Sequence, residues 1–218
     1  MNRPKDALTR NSTVTRVNHW ITGLFFVLLM LSGLAMFHPG FFFLSYLFGG
    51  GQSMRAVHPW FGIVLVISFT GLVIQFWRDN RWRREDTEWL ASIGKVLNNQ
   101  EEGVPEVGRF NAGQKGVFWG MALLIPVLFV TGLVIWEYYF GHATSVETQR
   151  IAALLHSLAA IGVILIWIVH VYAALWVKGS MRAMLRGWVT PGWAYRHHRK
   201  WFRSLVETGS NGPTPNSK

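Results

Sequence analysis

The chain has 218 residues, half of them hydrophobic and only 15% charged, with 12 tryptophans, no cysteine and a formal net charge of +10. The apolar residues are gathered into long runs, which excludes an ordinary soluble domain and fits lipid-spanning helices. The absence of cysteine excludes disulfides, thiolate metal sites, iron–sulfur ligation by this chain and covalent attachment of a c-type haem.

Four runs stand out in chain order: Val17 to Phe37, Arg55 to Trp77, Gln114 to Trp136 and Ile151 to Val177. Each has about the 20 residues needed to cross ~30 Å of hydrocarbon. The first lacks a small-residue cleavage site after a short apolar core and reads as a retained helix, not a removed signal peptide. The third contains Pro126, which a transmembrane helix tolerates with a kink. Tryptophans near the run ends fit interfacial aromatic belts. The expected fold is therefore all-α, an integral membrane four-helix bundle spanning 17–177, flanked by tails over 1–16 and 178–218. No internal repeat and no soluble domain is evident.

The basic residues sort by segment. Arg3, Lys5, Arg10 and Arg16 lie in the N-terminal tail. Arg78, Arg81, Arg83, Arg84, Lys95 and Arg109 lie between the second and third runs, and Lys178, Arg182, Arg186, Arg196, Arg199, Lys200, Arg203 and Lys218 follow the fourth. The other two connections hold almost none beyond Arg55 and Arg150 at their edges. The positive-inside rule then puts both termini and the middle connection in the cytoplasm. The net charge is mostly this topology signal; attraction to anionic lipid is secondary, and no nucleic-acid partner is expected. Within the middle connection, Trp89, Leu90, Ile93, Val96 and Leu97 recur at helical spacing, with Asp86, Glu88, Lys95 and Asn98 opposite. This fits a short amphipathic helix on the membrane interface; a helix packed on a soluble partner fits nearly as well. Past Thr208 the chain is rich in Ser, Gly, Pro and Asn and is expected to be disordered.

An ionisable residue inside a membrane span points to function. A single such histidine is as easily a hydrogen-bonded structural residue; four, at matched depths, are not so easily dismissed. His19 begins the first run on the cytoplasmic side, and His170 lies about seven residues before the cytoplasmic end of the fourth. His58 begins the second run on the outer side, and His156 lies about six residues into the fourth. At ~100° per residue the 14 positions from His156 to His170 fall ~40° short of four full turns, so both face nearly one way, ~21 Å apart along the axis. That spacing leaves room for two stacked haem b groups, each iron taking one imidazole from the fourth helix and one from another. The expected pairs are His58 with His156 and His19 with His170. Gly23, Gly62, Gly132, Ala159, Ala160 and Gly162 would let a macrocycle approach the backbone, although helix packing explains them equally. Arg16 and Arg55, three residues before His19 and His58, are placed either to pair with haem propionates or to meet lipid headgroups. His38, His142, His197 and His198 lie in connections or the tail and are assigned no haem role.

The pieces Val17-Asn18-His19-Trp20, Leu31-Ser32-Gly33, Val57-His58-Pro59-Trp60-Phe61-Gly62 and Gly108-Arg109-Phe110-Asn111-Ala112-Gly113-Gln114-Lys115 carry a resemblance, and they continue in Thr131-Gly132-Leu133-Val134-Ile135-Trp136, Leu155-His156, His170-Val171-Tyr172, Trp176-Val177-Lys178-Gly179-Ser180 and His197-His198. Spread in order over roughly 13 to 205, they resemble the gamma subunit, a membrane di-haem cytochrome b, of bacterial respiratory formate dehydrogenases. The resemblance implies a bacterial inner-membrane heterotrimer with an iron–sulfur beta subunit and a molybdenum- or tungsten-containing catalytic alpha subunit, able to assemble further. Electrons would enter the haem of His58 and His156, pass to that of His19 and His170, and reduce a quinone (menaquinone or ubiquinone) near the cytoplasmic face, where proton uptake would build a membrane potential. It also implies a quinone site at Asn111, Gly113 and Gln114 with His170 nearby; without it, Asn-Ala-Gly-Gln would read as a helix-start turn. Glu137 departs from the basic residue expected in some relatives and leaves the ligand set untouched. The alternatives are a cytochrome b serving a hydrogenase or sulfur-compound reductase, and a haem-free membrane anchor or transporter.

Overall fold

The computed structural model describes residues 3–98, 100 and 102–209. Four helices among them are long and apolar enough to cross a membrane: α1 (Thr13–Phe37), α2 (Gly51–Phe76), α5 (Ala112–Val134) and α7 (Val146–Trp176). Each starts a few residues before its apolar run, because polar residues such as Thr13, Gln52 and Glu147 continue the helix past the hydrocarbon-matched stretch. His19, His58 and His156 therefore lie further from their helix starts than the runs alone imply. Pro59 and Pro126 sit inside α2 and α5 without ending them. Large apolar side chains such as Leu158 and Leu165 are more than half exposed on α7, which lipid satisfies and water would not. The shorter elements are β1 (Leu8–Thr9), a 3₁₀ helix (Pro39–Phe48), α3 (Arg84–Ala91), α4 (Ile93–Leu97), α6 (Glu137–Phe140), α8 (Ser180–Leu185), β2 (Trp188–Val189), α9 (Pro191–His197) and α10 (Arg199–Glu207). The expected all-α membrane fold is what is found, with one two-residue strand pair that the sequence did not suggest.

The described chain forms two compact units. One comprises Met1–Arg16, Gln75–Phe118 and His170–Lys218. Here β1 pairs antiparallel with β2, Leu8 opposite Val189. Leu8, Val189, Ala183, Ala194, Trp201 and Leu205 make a small core, so the residues up to 209 that follow the last span are folded. The rest of the Ser-, Gly-, Pro- and Asn-rich end, expected to be disordered, lies outside the described residues. Arg10 is buried against this core, its guanidinium 4.4 Å from the Trp201 ring and 5.4 Å from Phe110. It donates to the Arg109 carbonyl, while Arg109 donates back to the Arg10 carbonyl at 2.8 Å and to Asp79 at 2.7 Å. Burial, then the neighbouring Arg109, lowers the Arg10 pKa to about 9 against the opposing pull of Asp79. Arg10 also approaches His198 Nε2 at 3.4 Å. His198 Nδ1 donates to the Gly108 carbonyl at 2.9 Å, so Nε2 is the nitrogen left to accept. Burial and Arg10 hold the His198 pKa well below its ordinary value.

In the same unit Trp89, Val107 and Ala112 form a second core, with Val96 against it. The amphipathic stretch is two helices, α3 and α4, broken at Ser92. Its apolar residues divide: Trp89 is buried, whereas Leu90, Ile93 and Leu97 are exposed. Asp86, expected on the polar side, is instead fully buried. It accepts from the Arg83 backbone N–H at 2.7 Å, closing the first turn of α3, and pairs with buried Lys115 at 2.6 Å. A buried carboxylate is tolerated because both partners satisfy it.

The other unit comprises Val17–Ile74 and Trp119–Val169. A polar clasp joins α1 to α2. Asn18 donates to the Ser68 carbonyl at 2.9 Å, Ser68 Oγ donates to Asn18 Oδ1 at 2.8 Å, and Thr22 lies 2.5 Å from Ser68 Oγ. A Cβ at Gly71 would come within 3.0 Å of the Asn18 amide, so this glycine admits the clasp. Phe26 stacks on Trp167 at 5.8 Å, tying α1 to α7.

Two outcomes are expected. Lys115→Met strands the Asp86 carboxylate and destabilises the first unit by about 3–5 kcal/mol; protease cutting between α3 and α5 in the detergent-solubilised protein should quicken accordingly, and unchanged cutting contradicts the pair's role. His198 resists protonation when folded, so the unfolded chain binds more protons below the ordinary value of 6.5. Its contribution is intact above that pH and is lost as pH falls below it. Proteolytic opening should quicken there, with the steepness reduced in His198→Gln.

Candidate functional site

In the unit formed by Val17–Ile74 and Trp119–Val169, a cavity of about 900 Å³ opens among α1, α2, α5 and α7. Its walls are mostly apolar, from Met30, Leu65, Ile125 and Ile164, and two imidazoles enter it, His58 from α2 and His156 from α7. Their ring centroids are 6.5 Å apart, with ring planes at 63°. That separation would leave room for one metal ion to take a nitrogen from each ring. The structure brings these two histidines of the expected pair together.

Each imidazole is held through Nδ1 by a hydroxyl of a neighbouring helix. Ser32 Oγ of α1 lies 2.7 Å from His58 Nδ1, and Thr131 Oγ1 of α5 lies 3.0 Å from His156 Nδ1. A glycine follows each hydroxyl, and the one after Thr131 makes room for the His156 ring. A Cβ at Gly33 would lie 3.6 Å from His58 Cε1, and one at Gly132 only 3.3 Å from His156 Cε1. These hydroxyls were missed at the sequence level. Their signal is a Ser/Thr-Gly-Leu triplet whose hydroxyl residue stands 26 residues before His58 and 25 before His156, a local repeat invisible to a search for long repeats. Arg55 lines the cavity, together with Trp60, Trp136 and Tyr139. Trp136 meets Trp60 edge-on at 5.4 Å and Tyr139 at 4.8 Å. Of the small residues singled out, Gly62, Gly132 and Ala160 line the cavity, whereas Gly162 packs against Leu124. The cavity fits a haem: two neutral nitrogen donors, apolar walls, glycine-backed rings and a cation among the lining residues.

The remaining histidines are more dispersed. His19, half-buried on α1 and edge-on to Trp20 at 5.7 Å, belongs to this unit. His170, half-buried on α7, belongs to the other, as do Asn111, Gly113 and Gln114. Arg16 is occupied by the Leu185 carbonyl at 2.7 Å and Thr13 at 3.1 Å. His38 accepts from the Gly40 N–H at the start of the 3₁₀ helix.

Asn111 and Gln114 form a reciprocal capping box at the start of α5. The Gln114 N–H donates to Asn111 Oδ1 at 2.9 Å, and the Asn111 N–H donates to Gln114 Oε1 at 3.1 Å. The plain reading of this segment as a helix start therefore holds in structural terms. These bonds use only the amide oxygens; the NH₂ groups remain donors, and Gly113 and Gln114 are exposed.

Fold and cavity define a multi-pass membrane cytochrome of b type. The chain belongs to the prokaryotic cytochrome b561 family, whose profile it matches over residues 10–187, and it groups with the gamma subunits of formate dehydrogenase that its motifs resemble. It is 41% identical to the formate dehydrogenase cytochrome b556(fdo) subunit of Escherichia coli, over 94% of this chain and 96% of that one. It is 39% identical to the formate dehydrogenase cytochrome b556 subunit of Haemophilus influenzae, over 91% and 84%. To the nitrate-inducible formate dehydrogenase cytochrome b556(Fdn) subunit of Escherichia coli it is 37% identical, over 91% of each.

The glycines give a contrast. Gly132→Val, placed 3.3 Å from the His156 ring, should displace the imidazole and lower the haem content per chain; Gly33→Ala, with 3.6 Å available, should leave it near the parent value. Equal haem content in the two variants by pyridine haemochrome would count against the cavity as the haem site.

Proposed function

We propose that the chain is the membrane subunit of a formate dehydrogenase complex, carrying electrons across the bacterial inner membrane from an iron–sulfur partner on the outer side to a quinone on the cytoplasmic side. The observation that carries this is the facing pair His58 and His156 within one apolar cavity, in a chain of this family. Haem b, when bound, supplies a one-electron carrier inside the hydrocarbon layer. His58 and His156 hold its iron as neutral imidazoles. Arg55 stands at the cavity to meet a propionate, and Trp60, Trp136 and Tyr139 limit water there. The assignment of His19 and His170 to a second haem rests on the sequence spacing and the resemblance.

The segment 17–177 is the electron-carrying span in this reading, with 1–16 and 178–218 cytoplasmic. Basic residues concentrated in those tails and in the middle connection support that sidedness, and the exposed Leu90, Ile93 and Leu97 of α3 and α4 suit the lipid interface. At the start of α5 the NH₂ groups of Asn111 and Gln114 donate to a quinone carbonyl, and Gly113 leaves the backbone approachable. Protons come from the adjoining aqueous phase. The names of the relatives favour a formate-oxidising partner over a hydrogenase or sulfur-compound reductase, and family membership disfavours a haem-free anchor or transporter.

A reduced-minus-oxidised spectrum with pyridine-haemochrome quantitation tests the reading: about two haems b per chain are expected. His170→Ala should halve the haem content and stop quinone reduction while the His58/His156 haem persists. Gln114→Ala should keep both haems and slow quinol formation at low quinone. Loss of all haem in His170→Ala, or full turnover in both variants, would contradict the assignment.

A further inference from the structure

Building on the reading that a haem lies between His58 and His156, we propose that Ser32 and Thr131 are positioning residues that fix both imidazoles in one tautomer and set the potential of that haem.

A hydroxyl has a single hydrogen and two acceptor lone pairs. Ser32 Oγ lies 2.7 Å from the Leu28 carbonyl and Thr131 Oγ1 lies 2.6 Å from the Val127 carbonyl. A carbonyl only accepts, so each hydroxyl commits its hydrogen to its own helix. Towards the histidine it is then an acceptor, and the ring nitrogen it meets carries a proton. Both contacts are to Nδ1. Nδ1–H is therefore fixed on both rings, and Nε2 keeps its lone pair for a metal. In the opposite tautomer each hydroxyl would have to turn its hydrogen from its own helix carbonyl to Nδ1, giving up that bond, and Nε2 would carry a proton in place of a lone pair for a metal.

The arrangement is also directional. A hydroxyl already donating to a carbonyl is a stronger acceptor, and an imidazole donating through Nδ1 is a more basic ligand through Nε2. Greater basicity favours the oxidised metal. Removing either hydroxyl should therefore raise the potential of the haem those rings hold. The same hydroxyl-to-Nδ1 contact occurs on both α1/α2 and α5/α7, in addition to each hydroxyl's bond to its own turn, and this separates it from incidental Ser/Thr back-bonding within a helix.

The experiment is a redox titration of the full-length protein in its native membranes, comparing Ser32→Ala and Thr131→Val with the hydroxyl-retaining Ser32→Thr and Thr131→Ser. In each hydroxyl-free variant one haem midpoint should rise, by about threefold in the oxidised-to-reduced equilibrium, or about 28 mV at 59 mV per decade. The hydroxyl-retaining variants should stay at the parent value. Unchanged midpoints in both hydroxyl-free variants, with haem content intact, would overturn the proposal, as would equal shifts in the hydroxyl-retaining pair. If Ser32→Ala sheds haem altogether, haem retained by Ser32→Thr at the parent potential supports the hydroxyl's role, and haem lost there overturns it. A parental haem content in His58→Ala sinks instead the haem assignment on which the proposal rests.

Discussion

An imidazole inside a lipid-spanning bundle must have both ring nitrogens accounted for, because hydrocarbon offers neither donor nor acceptor. That constraint organises the unit containing the cavity. His58 and His156 would be costly polar groups on α2 and α7 if α1 and α5 did not bring Ser32 and Thr131 within 2.7 and 3.0 Å. The His156 contact also needs the room that Gly132 leaves beside the ring. One of these hydrogen bonds joins α1 to α2 and the other joins α5 to α7, and both histidines line the same cavity. The arrangement that satisfies Nδ1 would, in the proposed reading, also present the rings to a haem.

The other unit meets the opposite problem: too many cations. Arg10 and Arg109 lie together against aromatic rings, with Asp79 as the nearby carboxylate. Flat guanidinium groups stack where ammonium groups would not, and each arginine donates to the other's backbone carbonyl. Farther along, Lys200 pairs with Glu85 and Arg203 with Glu106. Pairing with Lys200 holds the Glu85 carboxyl below its ordinary range, although these exposed pairs contribute little stability singly. Part of the basic charge that reads as a topology signal is thus structural.

What was legible in the sequence followed from one-dimensional signals. Apolar run length located the four long helices because lipid allows no other way to satisfy their backbones. Two histidines at matched depth on different helices indicated His58 and His156 as partners. What escaped depends on partners distant in sequence. Asp86 looked solvent-facing because Lys115, which makes its burial tolerable, stands 29 residues away. The pairing of Leu8 with Val189 spans nearly the whole chain, and two-residue strands leave no alternation to detect. Ser32 and Thr131 stood within the resembling motifs with no role assigned, because a hydroxyl in a helix usually bonds only its own turn, and these do that as well.

Asn111 and Gln114 show why a motif and its plain local reading need not compete. A capping box exists to satisfy the first backbone donors of a helix, and the one at the start of α5 does so through the two amide oxygens. An amide whose oxygen is held cannot rotate freely, so its NH₂ is held as well. Free side chains of this length lose rotamer freedom on binding; these have lost it on folding. Two amide donors fixed beside an exposed Gly113 form a rigid, uncharged edge suited to a carbonyl oxygen, at a helix N-terminus whose dipole favours negative charge developing there. In the proposed reading the cap would hold the donors of a quinone site in place before a quinone binds.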